Sequence, residues 1–402
     1  MNANAALDAR LEGYETGHET PLAFSTVQAA VRHNGQRTPF LLIDLELVRS
    51  KIRRFRAAIP QARLHYAIKA NPHPEILRVM LEENVAFEIA SAGELEILLA
   101  LGVPGSEVHY NNPVKPPDHL ARAARAGVAW YAIDSVGEMH KVVRAKADAQ
   151  LCLRIETQNL GSDWPLVGKF GVPLTEAAEL VCEARRIGAD LAGVSFHVGS
   201  QCRNLDNWRL GIENAKLVFA MMRSNFLAPR LLNIGGGFPV LHTKPIPAIE
   251  RIGASIRAAL ADSPREVRVM AEPGRYLVSD AAWLVSRVIG TADRRGTRWV
   301  YLDAGVFHGL METAEGFEYR IRSERGGARI PCTVAGPTCD SVDVVAKDCI
   351  LPAGLRTGDT IYVPNAGAYS TAYSTSFNGF PPPDTVVLQH LETAAGAGVK
   401  AA

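Results

Sequence analysis

The sequence predicts an α/β protein in which a (β/α)8 TIM-like barrel is followed by a second, mostly β domain. Three observations carry that prediction. Eight short apolar runs alternate with amphipathic helical stretches across residues 45–281, which is the rhythm of a parallel barrel. No GxGxxG opens a helix, which argues against an open dinucleotide-binding sheet. Over 282–402 the strand-like runs are separated by Gly- and Pro-rich turns, as in a Greek-key-like β-barrel.

In chain order, residues 1–36 are polar and weakly patterned and read as an N-terminal extension with one helix over 22–31. Residues 37–44 hold a short apolar strand, Phe40-Leu41-Leu42-Ile43, assigned to the β domain. A helix follows with Val48, Ile52, Phe55 and Ile59 on one face, closed by Pro60. The eight barrel runs are 64–69, 86–91, 108–113, 130–135, 150–156, 191–198, 230–237 and 267–273, with helices such as 92–101 and 175–187 between them, the latter stopped by Gly188. In the β domain, strands are expected at 299–302, 330–334, 360–363 and 385–388, and the last ten residues read as a frayed tail.

Bulk properties exclude several classes. The 402 residues carry 47% hydrophobic and 21% charged side chains and a net charge of +1, which leaves no nucleic-acid footprint and no polybasic membrane patch. Six cysteines without CxxC spacing fit reduced thiols and neither a disulfide framework nor a zinc site, so no metal is expected. No apolar run approaches the roughly 20 residues of a membrane span. The first residues, with Asp8, Glu12, Glu15 and Glu19, lack the basic region and apolar core of a signal peptide, so a cytoplasmic protein is expected.

A barrel of this kind gathers its functional groups at the carboxyl ends of its strands. Those ends carry Lys69, Glu88 with Ser91, Asn111, Asp134, Arg154, His197 with Gly199-Ser200, Gly235-Gly236-Gly237, and Glu272-Pro273-Gly274-Arg275. Singly each has a bland role: a lysine reaching for solvent, a satisfied core histidine, a tight turn of glycines. Together they form one polar site. The glycine run leaves backbone N–H groups open to an anion, and Arg275 and Ser200 add a fixed charge and a hydroxyl. A phosphate cradle beside a strand-end lysine points to pyridoxal 5'-phosphate, whose aldehyde lysines capture. Glu272 is placed to pair with its ring nitrogen, and the face of His197 to stack on its ring.

These residues sit in motifs that resemble the fold-type III PLP-dependent decarboxylases, in particular the ornithine/lysine decarboxylase branch of bacterial type. The resemblance runs from about Pro39 to Pro382 through Tyr66-Ala67-Ile68-Lys69-Ala70-Asn71, Ser195-Phe196-His197-Val198-Gly199-Ser200, Gly235-Gly236-Gly237-Phe238-Pro239, Glu272-Pro273-Gly274-Arg275, Gly336-Pro337-Thr338-Cys339-Asp340-Ser341 and Gly367-Ala368-Tyr369. It implies that Lys69 holds the cofactor covalently, that His197 stacks on it and that Glu272 pairs with its nitrogen. Ser200, Gly235, Gly236, Gly237, Arg275 and Tyr369 would hold the phosphate, and Arg154 and Glu88 would line the pocket. Cys339 and Asp340 would come from the partner of a homodimer, Cys339 to protonate Cα and Asp340 to bind the distal ammonium of a diamino acid. Phe377 would pack at the same shared site.

The chain departs from the family pattern twice. Glu88 stands where an aspartate is usual, and 305–315 lacks the Tyr-Asp pair of eukaryotic members, which leaves Glu312 and Glu315 both open as the carboxylate for the distal amine. The expected reaction is L-ornithine to putrescine and carbon dioxide, with L-lysine close behind and a siderophore- or antibiotic-pathway diamino acid as a further alternative. Aspartate after Cys339 argues against a diaminopimelate decarboxylase. A non-catalytic PLP-binding homologue fits poorly, because Lys69, Cys339 and the second domain are all retained.

Overall fold

The computed structural model describes residues 14–15, 21–35, 37–166, 168–264 and 266–390. The expected tail and most of the N-terminal extension lie outside the described residues. The chain divides into two compact units, one with Ile52–Pro239 and Ile246–Gly274, the other with Glu15–Lys51, Val240–Pro245 and the chain from Arg275 onward.

The first unit is a closed parallel barrel. Its strands are β1 (Ala62–Ala67), β2 (Ala86–Ile89), β3 (Val108–Tyr110), β4 (Trp130–Ile133), β5 (Gln150–Arg154), β6 (Asp190–Ser195), β7 (Leu231–Asn233) and β8 (Arg268–Ala271). They pair in chain order, and β8 closes on β1 with Met270 opposite Arg63. All eight expected strands are present, each shorter at its carboxyl end than its apolar run. Lys69, for example, sits past β1 in a 3-10 turn, Ile68–Ala70. The site is built on the residues that follow the strand ends.

Outer helices follow from their stripes. In Leu45–Ala58, Val48, Ile52 and Phe55 recur at helical spacing and are fully buried. Phe55 meets the edge of Phe238 at 4.8 Å, and burying such a ring stabilises by about 1.5–3 kcal/mol. Ser91 and Ser135 each accept the N–H of a glutamate three residues on, at 3.2 Å, and so start helices Ala92–Ala100 and Val136–Ala145. Ser91, read from sequence as part of the polar site, is thus the cap of a helix. Helix Ala177–Ile187 ends where Gly188 takes φ +68°, a left-handed cap that glycine adopts without strain.

The second unit is mostly β. Phe40–Ile43 pairs with Ala282–Arg294 and with Asp384–Val387, and Thr360–Pro364 lies on the other flank of Ala282–Arg294. Beyond, Ala282–Arg294 pairs with Thr297–Leu302, then Arg329–Ala335 and Val344–Pro352. Two of these strands escape the sequence pattern. Ala282–Arg294 begins as a continuous buried run without alternation. Val344–Pro352 carries Lys347-Asp348 at its centre, with Asp348 at φ +53°, which breaks the period. The helix expected over 22–31 is Phe24–Asn34, and Val27 and Ala30 pack with Phe40, Leu42, Trp283 and Tyr362, so this segment belongs to the core of the β unit. Among the described residues no helix is long and apolar enough to cross a membrane.

Candidate active site

At the carboxyl end of the barrel three buried or half-buried charges converge. Ala67 of β1 stands opposite Glu88 of β2, and Lys69 Nζ, two residues on, donates to Glu88 Oε1. Glu88 is buried, whereas Lys69 keeps nearly half of its side chain exposed. A buried carboxylate is costly without a partner, so the pair holds the amine in place while leaving it reachable. The longer side chain of Glu88 therefore spans to Lys69.

Glu272 follows β8 and is enclosed. Burial, then the charge of Glu88, pushes its carboxyl up to about 7, against the pull of Lys69, Asn233 and Arg154. Asn111 and Asn233 both donate their amide N–H to Glu272 Oε1. The sequence places Asn111 at a strand end but gives neither asparagine this task; the signal it offers is a buried asparagine at the end of β3 and another at the end of β7. The Oδ1 of Asn233 accepts the Gly235 N–H at 2.9 Å, so one side chain fixes both the carboxylate and the glycine turn.

No side chain fits on that turn. A Cβ on Gly235 would stand 2.2 Å from Phe196 O, on Gly236 2.6 Å from Glu272 O, and on Gly237 2.1 Å from Gly199 O. Gly235 and Gly237 also have φ +66° and +87°. The Gly236 and Gly237 N–H groups have no hydrogen-bond partner among the described residues. Two adjacent open donors form an anion cradle.

His197 lies beside it. Its Nδ1 accepts the Gly199 N–H at 3.0 Å, which leaves the proton on Nε2. Burial, reinforced by Arg154 and Lys69, pushes its imidazole down to about 3, so the ring is neutral. A neutral ring can stack on a cationic heterocycle without repulsion. Arg154 ends β5 with its guanidinium 5.6 Å from the Phe170 ring. Ser200 begins a short strand that pairs with Ser162–Trp164. The barrel thus gathers Lys69, Glu88, Arg154, His197, Ser200, Gly235–Gly237 and Glu272 at one end of its strands.

The remaining expected residues lie in the β unit. Arg275 is buried and donates from both terminal nitrogens to Glu312, one bond at 3.0 Å, and Tyr319 donates to Glu312 Oε2 at 3.0 Å. Burial would depress the Arg275 guanidinium, and Glu312 more than reverses that. Tyr369 lies over the same guanidinium at 4.8 Å, so Arg275 and Tyr369 are together. Glu312, one of the two acids left open for a distal amine, has both oxygens engaged, whereas Glu315 is exposed. Cys339 is exposed, and its N–H and thiol both donate to Asn378 Oδ1, at 3.1 and 3.3 Å. Asp340 is exposed beside it. Phe377 packs on Phe307, with ring centroids 4.7 Å apart. Asp343 braces this loop by accepting the N–H groups of Val306 and Thr338 at 2.8 and 3.0 Å.

Residues 45–279 match the family model described as the pyridoxal binding domain of pyridoxal-dependent decarboxylases. The chain belongs to the pyridoxal-dependent decarboxylases. It is 35% identical to the lysine/ornithine decarboxylase of Selenomonas ruminantium, over 88% of this chain and 90% of the relative. The lysine/ornithine decarboxylase of Vibrio vulnificus, solved with cadaverine, superposes with a TM-score of 0.84 at 33% identity, covering 91% of this chain and 98% of that one. The arginine decarboxylase of Paramecium bursaria Chlorella virus superposes with a TM-score of 0.84 at 29% identity, covering 90% and 99%. The protein is a PLP-dependent carboxy-lyase, and the residues at the barrel mouth fit the cofactor. They offer a reachable amine, an open phosphate cradle, a buried carboxylate and a neutral ring.

Proposed function

We propose that this protein decarboxylates a basic diamino acid, L-ornithine to putrescine first and L-lysine to cadaverine next, at sites shared within a homodimer. The observation that carries the reading is the Lys69–Glu88–Glu272 cluster beside the open Gly236 and Gly237 N–H groups. When bound, pyridoxal phosphate supplies an electron sink for the pair left at Cα as carbon dioxide departs.

The chain's own residues do the rest. Lys69 would hold the cofactor through its amine, and Glu88, in contact with that amine, would take up or return its proton. Gly235, Gly236, Gly237 and Ser200 hold the phosphate, with Arg275 and Tyr369 adding to it. Glu272, held ready by two amides, gains its charge fully when a protonated ring nitrogen lies against it. His197 covers the ring without adding charge, and Arg154 lines the pocket. The Cys339 thiol, turned toward Asn378 Oδ1, carries the proton for Cα. Asp340 supplies the charge that selects a basic side chain. Both oxygens of Glu312 are engaged by Arg275 and Tyr319, so Glu312 is the partner that orients Arg275, and either Glu312 or Glu315 remains the second acid for the distal amine.

Carbon dioxide release from PLP-loaded protein, measured with L-ornithine, L-lysine, L-arginine, L-2,4-diaminobutyrate and meso-diaminopimelate, tests the substrate. We expect kcat/KM for ornithine to lead by about tenfold, which is roughly 1.4 kcal/mol of transition-state discrimination. A lead for lysine selects the second substrate, and turnover of none overturns the reading. Cys339 is exposed on its own chain, which supports action across a dimer. Equal mixing of Lys69→Ala and Cys339→Ala chains should then restore roughly a quarter of the activity, since one of the two sites in each heterodimer is whole.

A further inference from the structure

The amino ends of the same barrel strands line a solvent-open cavity of about 380 Å³, with exposed Arg63 and Arg268 at its rim and His65, His109, Ser263 and Met270 among its other lining residues. That volume is within the range of small-molecule sites. Its construction follows from strand alternation. Arg63 and His65 lie on one face of β1, and Arg268 and Met270 on one face of β8, so the arginines stand a layer nearer the opening than His65 and Met270. Where a barrel floor ordinarily carries aliphatic side chains, this one carries two imidazoles in contact, with ring centroids 4.5 Å apart. His109 in turn stacks on Trp130 at 5.6 Å.

The charge here is one-sided. Neither Arg63 nor Arg268 has an ion-pair or side-chain hydrogen-bond partner among the described residues. The nearby acids are engaged elsewhere, Asp262 with Lys216 and Glu266 with Arg223 at 3.3 Å. Burial first, then cations and the neighbouring imidazole, push His109 well below its ordinary range, and burial with Arg63 and Arg268 pushes His65 down to about 3. Among the described residues no carboxylate lines the cavity. The Ser263 hydroxyl on its wall is buried and has no hydrogen-bond partner among the described residues. The site therefore holds two guanidinium forks and an unused hydroxyl as donors, beside two neutral imidazoles of which His65 turns Nδ1 to Phe87 O at 3.5 Å.

We propose that this cavity binds a small phosphate ester, with its phosphate between Arg63 and Arg268 and its organic part against His65, His109, Leu231 and Met270. Two arginines match a dianion, and a single carboxylate would leave one of them uncompensated. β8 and β1 are adjacent, with Met270 opposite Arg63, so Arg268 and Arg63 stand on a diagonal of about 7–8 Å, close enough for both forks to reach one group. A dicarboxylate, with charges at two ends, suits that convergence less well.

The test uses PLP-loaded enzyme, in which the cradle at the opposite strand ends is filled, and phenyl phosphate as the probe. Calorimetric titration at fixed ionic strength should give saturable binding of one molecule per chain. Inorganic phosphate should bind at least tenfold more weakly, and phenol not at all. Arg63→Gln and Arg268→Gln should each weaken binding by tenfold or more, with far-UV dichroism and cofactor absorbance unchanged. In the unsubstituted enzyme the same titration should move the imidazole proton resonances of two histidines. No saturable binding, binding unaffected by both substitutions, inorganic phosphate as tight as the ester, or unmoved histidine resonances would each overturn the proposal.

Discussion

Two lysine–glutamate pairs occupy the same barrel and behave oppositely. Lys69 and Glu88 meet at the mouth, with the lysine side chain 46% exposed and the glutamate 2%. Lys115 and Glu138 meet at 3.0 Å with exposures of 0% and 3%. Lys115 also donates to the carbonyls of Asn112, Pro113 and Ala132, so every proton of its ammonium is used. Burial pushes it down to about 8 even though Glu138 supports the charge. The lesson is that pairing alone does not mark a functional lysine. Lys115 fastens the turn after β3 to the helix after β4 and has no path to a ligand, whereas Lys69 is anchored by a buried acid and left open on one side.

That contrast can be broken by substitution. The largest effect on activity is expected at Lys69→Ala, which should lower kcat/KM by roughly a thousandfold or more, a loss that outweighs the stability forfeited by leaving Glu88 buried without this partner. An active Lys69→Ala enzyme would remove the distinction. Lys115→Met should do the reverse. Taking the cation from Glu138 Oε1, with Lys141 still on Oε2, and stripping three buried carbonyls of their donor should cost about 3–5 kcal/mol in denaturant unfolding with at most a few-fold change in kcat, and Lys115→Met/Glu138→Leu should recover part of the loss.

Glu272 lies between these extremes, being half-buried and placed at the mouth. Glu272→Gln should lower kcat about a hundredfold, because a neutral amide cannot hold a cationic ring nitrogen. The stability of the apoprotein should also carry its signature. The folded carboxyl titrates near 7 against 4.5 when unfolded, so the folded state binds more protons between those values and its contribution falls as pH rises through that window. The slope should flatten in Glu272→Gln, measured by urea unfolding from pH 4.5 to 7.5. The smallest effect is expected at Ser91→Ala, about 1 kcal/mol from a lost helix cap with kcat unchanged, which would confirm that Ser91 belongs to the scaffold.

Much of this was legible in the chain. The eight apolar runs named the barrel because strand and helix periods alternate in a fixed rhythm, and the residues just past each run named the mouth. Lys69, Glu88, His197 and Glu272 do lie at one end of one barrel. Gly235–Gly237 could be identified as a turn that tolerates no side chain. Asn111 and Asn233 could not be tied to Glu272, because an amide's partner depends on strands that are distant in sequence.

What the sequence determined by itself is the order of elements, the barrel and the identities at the strand ends. These follow from local periodicity, turn chemistry and the costs of burying charge. Only the tertiary structure decided which charges are satisfied. It gave Glu312 to Arg275, sealed Lys115 onto Glu138, and left Arg63 and Arg268 over two histidines with no acid beside them. Pairing and exposure arise where separate strands meet, and no run of consecutive residues carries that information.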